Sequence, residues 1–260
     1  MTQTMQFDDG ASYEVMMGRW SRLAGEQFLD WLAVPAGSRW VDVGCGNGAF
    51  TEQLIDRTRA SHVVAIDPSP GQLAYARTRL PADSPVEWLE GGARQLPVAD
   101  GSCDAAAMAL VLFFVPDPAA GVAEMVRVVR PGGTVAAYHW DMLNRGFPLA
   151  DIGAEMVKLG ARPPMPPSVE ASTLEASAAL WRDAGLRDVE TRTITVQRAF
   201  ADFDDYWRSA ASSQALRTAA EVLTAEQQAT LKANVRQRLG GGDGPVTVTA
   251  RATAVKGVRP

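Results

Sequence analysis

Three glycines at alternate positions, Gly44, Gly46 and Gly48, follow an apolar run, and an acid, Asp67, stands further along the chain. Gly44 allows a sharp exit from a strand. Gly46 lets a ligand approach bare backbone, and Gly48 lets a helix start pack close to a sheet. Free N–H groups at the positive end of a helix suit a carboxylate or a phosphate. An acid about twenty residues beyond such a turn is placed to accept hydrogen bonds from two neighbouring hydroxyls of a nucleotide-type ribose. By type and spacing alone the glycines read also as a tight structural turn, and Asp67 as a cap or turn residue ahead of Pro68. His139 is the third chemical candidate. Imidazole titrates near neutral pH, so His139 could serve as a general base, or as a hydrogen-bonded wall residue that moves no proton.

These residues need a strand–turn–helix unit to place them. Arg39 to Val43 reads as a buried strand and Ala49 to Thr58 as the helix after the turn. Ser61 to Asp67 is a second buried strand, and Pro70 to Leu80 a helix with proline early in its first turn. Val86 to Glu90 alternates as a third strand. Cys103 to Ala109 is the fourth, Pro118 to Val129 a helix, and Thr134 to Tyr138 the fifth strand after a turn at Arg130–Gly133. Apolar residues at helical spacing mark Trp20 to Ala33. In the second half, Ser172–Glu175 reads as a capping box opening a helix to Ala184, and Thr224 with Gln227 as another cap. Val189 to Ala199 and Val246 to Val255 alternate as strands.

The chain has 260 residues, 47% apolar, with net charge −5 and pI near 5.2. This balance argues against a general nucleic-acid or anionic-membrane surface. The longest apolar stretch, Ala105 to Val115, is too short to span a bilayer. The N-terminus lacks a basic and then apolar signal pattern. The two cysteines, Cys45 and Cys103, sit in apolar contexts and read as free thiols of a reducing, cytoplasmic setting. Two histidines and two cysteines, scattered, give no metal-ligand spacing.

Four motifs in order carry a resemblance to a known family: Val41-Asp42-Val43-Gly44-Cys45-Gly46-Asn47-Gly48, then Ala65-Ile66-Asp67-Pro68-Ser69-Pro70, then Leu96-Pro97-Val98-Ala99-Asp100-Gly101-Ser102-Cys103-Asp104, and finally Glu124 to Gly133. The chain resembles the class I S-adenosylmethionine-dependent methyltransferases, in particular the methyltransferase type 11 or ubiquinone-biosynthesis-like group. The resemblance implies one domain over residues 1–260. A cofactor-binding core spans 35–142, and lid or insertion segments span 143–170 and 203–239. It implies a Rossmann-like α/β fold: a seven-stranded sheet of order 3-2-1-4-5-7-6, its last strand antiparallel, with helices on both faces and a helical lid.

It further implies S-adenosyl-L-methionine as cofactor and a small-molecule methyl acceptor, in a monomer or homodimer. Asp42, Gly44, Cys45, Gly46 and Gly48 would hold the methionine end, with Tyr13 and Arg19 reaching its carboxylate. Asp67 and Pro68 would meet the ribose, Leu73 would lie beneath the adenine, and Leu110 would complete the contacts. Relatives usually carry Gly-Asp-Ala where Gly91, Gly92 and Ala93 stand, so adenine recognition would fall to backbone groups of Gly92, Ala93 and Arg94. Phe113 and Phe114 replace a frequent histidine and would wall the acceptor side with Tyr138, His139 and Trp140. Tyr13, Arg19, Leu73 and His139 read equally as surface or packing residues. Two other functions stay open. Gly44 to Ala49 fits a loose dinucleotide pattern, which admits an NAD-dependent oxidoreductase. The missing acid at Gly92 and the lack of an evident base admit a non-catalytic cofactor-binding protein.

Overall fold

Short β-branched and alanine-rich runs cannot satisfy their own backbone groups, so they pair. The computed structural model describes residues 17–260. β1 (Arg39–Val43), β2 (His62–Asp67), β3 (Val86–Glu90), β4 (Cys103–Ala109) and β5 (Val129–Trp140) run parallel. β7 (Val246–Val258) lies antiparallel between β5 and β6 (Arg187–Phe200). The order is β3-β2-β1-β4-β5-β7-β6, as expected. Parallel neighbours need crossovers, and helices supply them: α2 (Ala49–Thr58), α3 (Pro70–Arg79) and α4 (Pro118–Val128). α1 (Arg19–Leu32) precedes the sheet.

Several boundaries differ from the sequence reading. β5 starts at Val129 rather than Thr134. The chain end draws the glycine turn into the sheet, since Gly132 N–H donates to Arg259 O at 2.8 Å and Arg259 N–H to Gly133 O at 2.9 Å. β6 and β7 both run longer than their alternation suggested. Ser172 does not cap the helix after it. It ends a 3-10 turn (Val169–Ser172), and Thr173 caps α6 (Leu174–Asp183) by accepting from Ala176 N–H. The cap at Thr224 is present in full, with Gln227 answering it.

The sheet carries a core on each face. One joins Trp20 and Phe28 of α1 to Phe50, Tyr138, Trp140 and Phe200. The other joins Val41, Val43, Met108 and Val135 to Val122, Met125 and Trp181. α5 (Ala150–Lys158), α7 (Phe203–Ala211), α8 (Gln214–Ala220) and α9 (Ala225–Arg238) complete the chain, and Ile152, Met156, Phe203, Tyr206, Leu231 and Val235 join the first core. β6 and β7 continue past the last β5 pair, Trp140 with Ala252, through Thr195–Arg251, Val196–Ala250, Gln197–Thr249, Arg198–Val248, Ala199–Thr247 and Phe200–Val246. This ribbon rises above the C-terminal edge of the parallel strands. Ligands of open α/β sheets bind at that edge.

Candidate cofactor and acceptor site

The turn after β1 is bound to the end of β2. Gly44 and Cys45 N–H groups both donate to Ile66 O, at 2.7 and 3.0 Å, and Gly48 N–H donates to Cys45 O at 2.9 Å. Gly44, Gly46 and Gly48 have φ of +75°, +52° and +79°, a region that disfavours side chains. Their surroundings differ. A Cβ on Gly44 would lie 2.6 Å from both Val111 methyls, whereas one on Gly46 would meet no atom of the described residues within 4 Å. Gly44 is required for packing, and Gly46 leaves its backbone open.

Asp67 closes this turn. Its Oδ2 accepts Gly46 N–H and its Oδ1 accepts Ser69 N–H, both at 2.9 Å. Burial raises its pKa, and the two N–H groups oppose that shift. Each oxygen keeps acceptor capacity beyond these bonds.

Asp42 lies one step deeper and is fully buried. Thr51 Oγ1 donates to its Oδ2 at 2.6 Å, while Oδ1 has no partner among the described residues. Burial first, then the charge of Asp67, lifts its pKa to about 7, against the pull of the Thr51 hydroxyl. A buried acceptor without a donor costs about 1–3 kcal/mol. A cationic donor beside the turn, such as an ammonium, would satisfy it. A pyrophosphate would instead meet two buried acids. The residues therefore fit S-adenosylmethionine, which carries an ammonium and a sulfonium, and they disfavour a dinucleotide.

The expected adenine side is a ledge. Leu73 is buried and clusters with Cys45 and Ala65, with Trp88 against them. Burial raises the Cys45 thiol pKa, so this cysteine stays protonated. Gly92 is exposed, a Cβ there would meet nothing within 4 Å, and Gly92 bridges to Gln95. Ala93 is half-buried and Arg94 exposed. The following loop is clamped from α4. Glu124 Oε2 accepts Leu96 N–H at 2.8 Å. Arg127 donates to Leu96 O at 2.9 Å, Val98 O at 2.8 Å and Asp100 Oδ1 at 2.6 Å, and pairs bidentately with Glu124 at 2.7 Å. Sequence reading quoted both residues in a motif without giving them this role. An acid and an arginine three apart on one helix was the available signal.

On the acceptor side, strand alternation separates residues that the sequence reading grouped. Tyr138 and Trp140 point into the core beneath α1, where Tyr138 packs 4.7 Å from Phe28 and its hydroxyl donates to Ser21 O at 3.3 Å. His139 points to the opposite face. The three do not wall one pocket, and that expectation is corrected. The candidate base His139 lies within that face. It is fully buried, its Nε2 lies 3.0 Å from Ser177 Oγ, and its Nδ1 has no partner among the described residues. Burial lowers its pKa to about 3, so it stays neutral at ordinary pH. Its ring meets Phe113 edge-on, centroids 6.0 Å apart, and Phe113 meets Phe114 at 4.5 Å. Ser168 fastens this wall, its N–H donating to Phe113 O at 3.0 Å and its hydroxyl to Val115 O at 2.8 Å.

Leu110 leaves β4 at φ +63°, a rare conformation for a bulky residue, with its N–H donating to Tyr138 O at 2.7 Å. Pro68 is exposed beside Asp67. Arg19 is exposed at the first turn of α1 and has no ion pair among the described residues. Tyr13 lies outside the described residues. Among the described residues no group of three His, Cys, Asp or Glu side chains could hold a metal, and no helix is long and apolar enough to cross a membrane.

Known proteins resemble this chain in sequence and in fold. The family described as "Methyltransferase domain" matches residues 41–137. A demethylmenaquinone methyltransferase of Clavibacter sepedonicus is 32% identical over 177 residues, 63% of this chain and 71% of that protein. An uncharacterized methyltransferase of Mycobacterium tuberculosis is 40% identical over 105 residues, 40% of this chain and 41% of its own length. Phosphoethanolamine N-methyltransferase 2 of Haemonchus contortus, solved with S-adenosyl-L-methionine, superposes with a TM-score of 0.62 at 17% identity over 99% of this chain and 58% of that one. A S-adenosylmethionine-dependent methyltransferase of Aquifex aeolicus gives a TM-score of 0.51 at 23% identity, over 72% and 87%. At these identities the two structures speak for the fold.

Proposed function

The chain belongs to the class I S-adenosylmethionine-dependent methyltransferases of the ubiquinone-biosynthesis-like group, and from that premise we propose that it transfers a methyl group to a small-molecule acceptor by in-line displacement. The observation that carries the reading is the buried Asp42 Oδ1 without a donor, beside a turn whose Gly46 is open to a ligand. When bound, S-adenosylmethionine supplies an electrophilic methyl on its sulfonium. Asp42 and the turn hold the methionine end, and Asp67 offers its remaining lone pairs to the ribose hydroxyls. The ledge at Gly92, Ala93 and Arg94 gives backbone groups to the adenine, over Leu73. Phe113 and Phe114 form an apolar wall that excludes water. Leu110 sets the backbone at the end of β4 beside it. Orientation of this kind supplies several powers of ten in rate without a base. That agrees with a neutral, buried His139.

The segments 143–170 and 203–239 act as the lid of the core 35–142 in this reading. Arg238 of α9 pairs with Asp151 and Glu155 of α5, at 3.2 and 3.7 Å, and ties the two helices together. The buried free cysteines support a cytoplasmic setting.

Calorimetry with S-adenosylmethionine, S-adenosylhomocysteine and NAD(H) tests the proposal. Micromolar binding of the adenosyl sulfur compounds alone is expected. Binding of NAD(H) alone would overturn it.

A further inference from the structure

On the inward face of the β6–β7 ribbon, Ile194, Val196 and Phe200 are buried, and Arg198 takes the place in their alternation. A guanidinium has five N–H donors and normally spends them on carboxylates, phosphates or carbonyls. Arg198 spends almost none. Its Nη1 makes one long bond of 3.4 Å to Ser209 Oγ, and its buried Nε has no partner among the described residues. It forms no ion pair among the described residues. Its guanidinium carbon lies 4.4 Å from the centroid of the Phe200 ring, a cation–π contact. Trp20 packs against the same ring at 6.4 Å, which places the neighbouring Arg19 on this flank. Burial, and after it the Arg19 charge, lowers the Arg198 pKa against the pull of Asp205. Two cations on one flank, one with a buried Nε unpartnered among the described residues, are an arrangement that an anion relieves.

We infer that Arg198, assisted by Arg19, receives an anionic group, carboxylate or phosphate, carried by the methyl acceptor. Two anions could come to this edge: the methionine carboxylate of the cofactor and a group on the acceptor. Position favours the acceptor. In the order β1-β4-β5-β7-β6, Arg198 stands four strands from the glycine turn, about 19 Å at the usual strand spacing. An extended arginine does not bridge that gap. The ribbon on which Arg198 stands rises above the edge, beyond the ends of β4 and β5. A guanidinium presents its donors as a fork that suits a bidentate contact, which lysine would not reproduce. The inference rests on the methyl-transfer reading for the word acceptor, and the test separates the two.

The test follows the Arg198 side-chain Nε–H resonance in the full chain during titration with inorganic phosphate, with and without saturating S-adenosylhomocysteine. A saturable shift that survives S-adenosylhomocysteine is expected. Arg198→Met should abolish phosphate binding, and Arg198→Lys should weaken it severalfold, while S-adenosylhomocysteine binds both variants as it does the wild type. No saturable shift in the wild type would overturn the inference, and that measurement stands even if the variants fold poorly. Phosphate displaced by S-adenosylhomocysteine but not by 5′-methylthioadenosine, which lacks the amino-acid part, would reassign the arginine to the cofactor carboxylate and overturn it too. Wild-type protein that bound phosphate but not S-adenosylhomocysteine would support the anion site and sink the methyl-transfer reading instead.

Discussion

Asp67 Oδ2 lies 2.9 Å from Gly46 N, so the acid at the end of β2 is tied to the turn after β1 across a parallel strand pair. The carboxylate that faces the ribose also holds the shape of the turn. Asp67→Ala should therefore act twice, weakening S-adenosylhomocysteine binding by tenfold or more, about 1.4 kcal/mol, and loosening the turn. Asp67→Asn keeps one acceptor oxygen and should fall between the two. Calorimetry measures both, and wild-type affinity in Asp67→Ala would end the ribose assignment.

Asp42→Asn should separate stability from binding. The folded protein holds the Asp42 proton up to a pH of about 7, well above the ordinary carboxylate value. The native state therefore binds more protons than the unfolded chain between about 4 and 7, and stability attributable to this group falls as pH rises through that window. Removing the charge should raise Tm at pH 8 and weaken cofactor binding. Thermal melts and calorimetry on one variant read both. A lower Tm with unchanged affinity would contradict the account.

His139 has the opposite slope. Its pKa is lowered to about 3, so the unfolded chain binds the extra proton between about 3 and the ordinary histidine value near 6.5. Its stability contribution is complete above that value and is lost as pH falls toward 3, by at most about 1.4 kcal/mol per pH unit. His139→Gln should flatten the acid limb of a stability–pH curve and leave the pH dependence of methyl transfer unchanged. A kinetic pKa that vanished in this variant would restore the base.

Arg127→Leu should free the loop from Leu96 to Asp100. The lost set includes contacts to two carboxylates and two carbonyls and a Leu96 anchor held through Glu124. A cost of about 1–3 kcal/mol is expected. Hydrogen exchange should quicken at Leu96 and Val98 before any change at β1. Uniform protection in the variant would show that the loop holds itself.

Local features were legible in the sequence, and distant ones were not. β1, β3, β4 and α2 stand where the residues placed them, because each is bounded by glycine, proline or a polar cluster. The start of β5 was hidden, because a glycine turn reads as a turn until the chain end pairs with it from more than a hundred residues away. The glycine turn and Asp67 were visible because one βαβ unit carries both. The mistaken grouping of Tyr138, His139 and Trp140 was avoidable, since consecutive strand residues point to opposite faces. Arg198 was invisible. It alternates like any exposed strand residue, and only the packing of α1 and Phe200 turns its face inward.

The ribbon formed by β6 and β7 outruns β5 by six residue pairs, about 20 Å of chain. One flank of the ligand edge is thus a hydrogen-bonded parapet rather than a loop. Its height is set when the sheet folds and costs nothing when a ligand arrives.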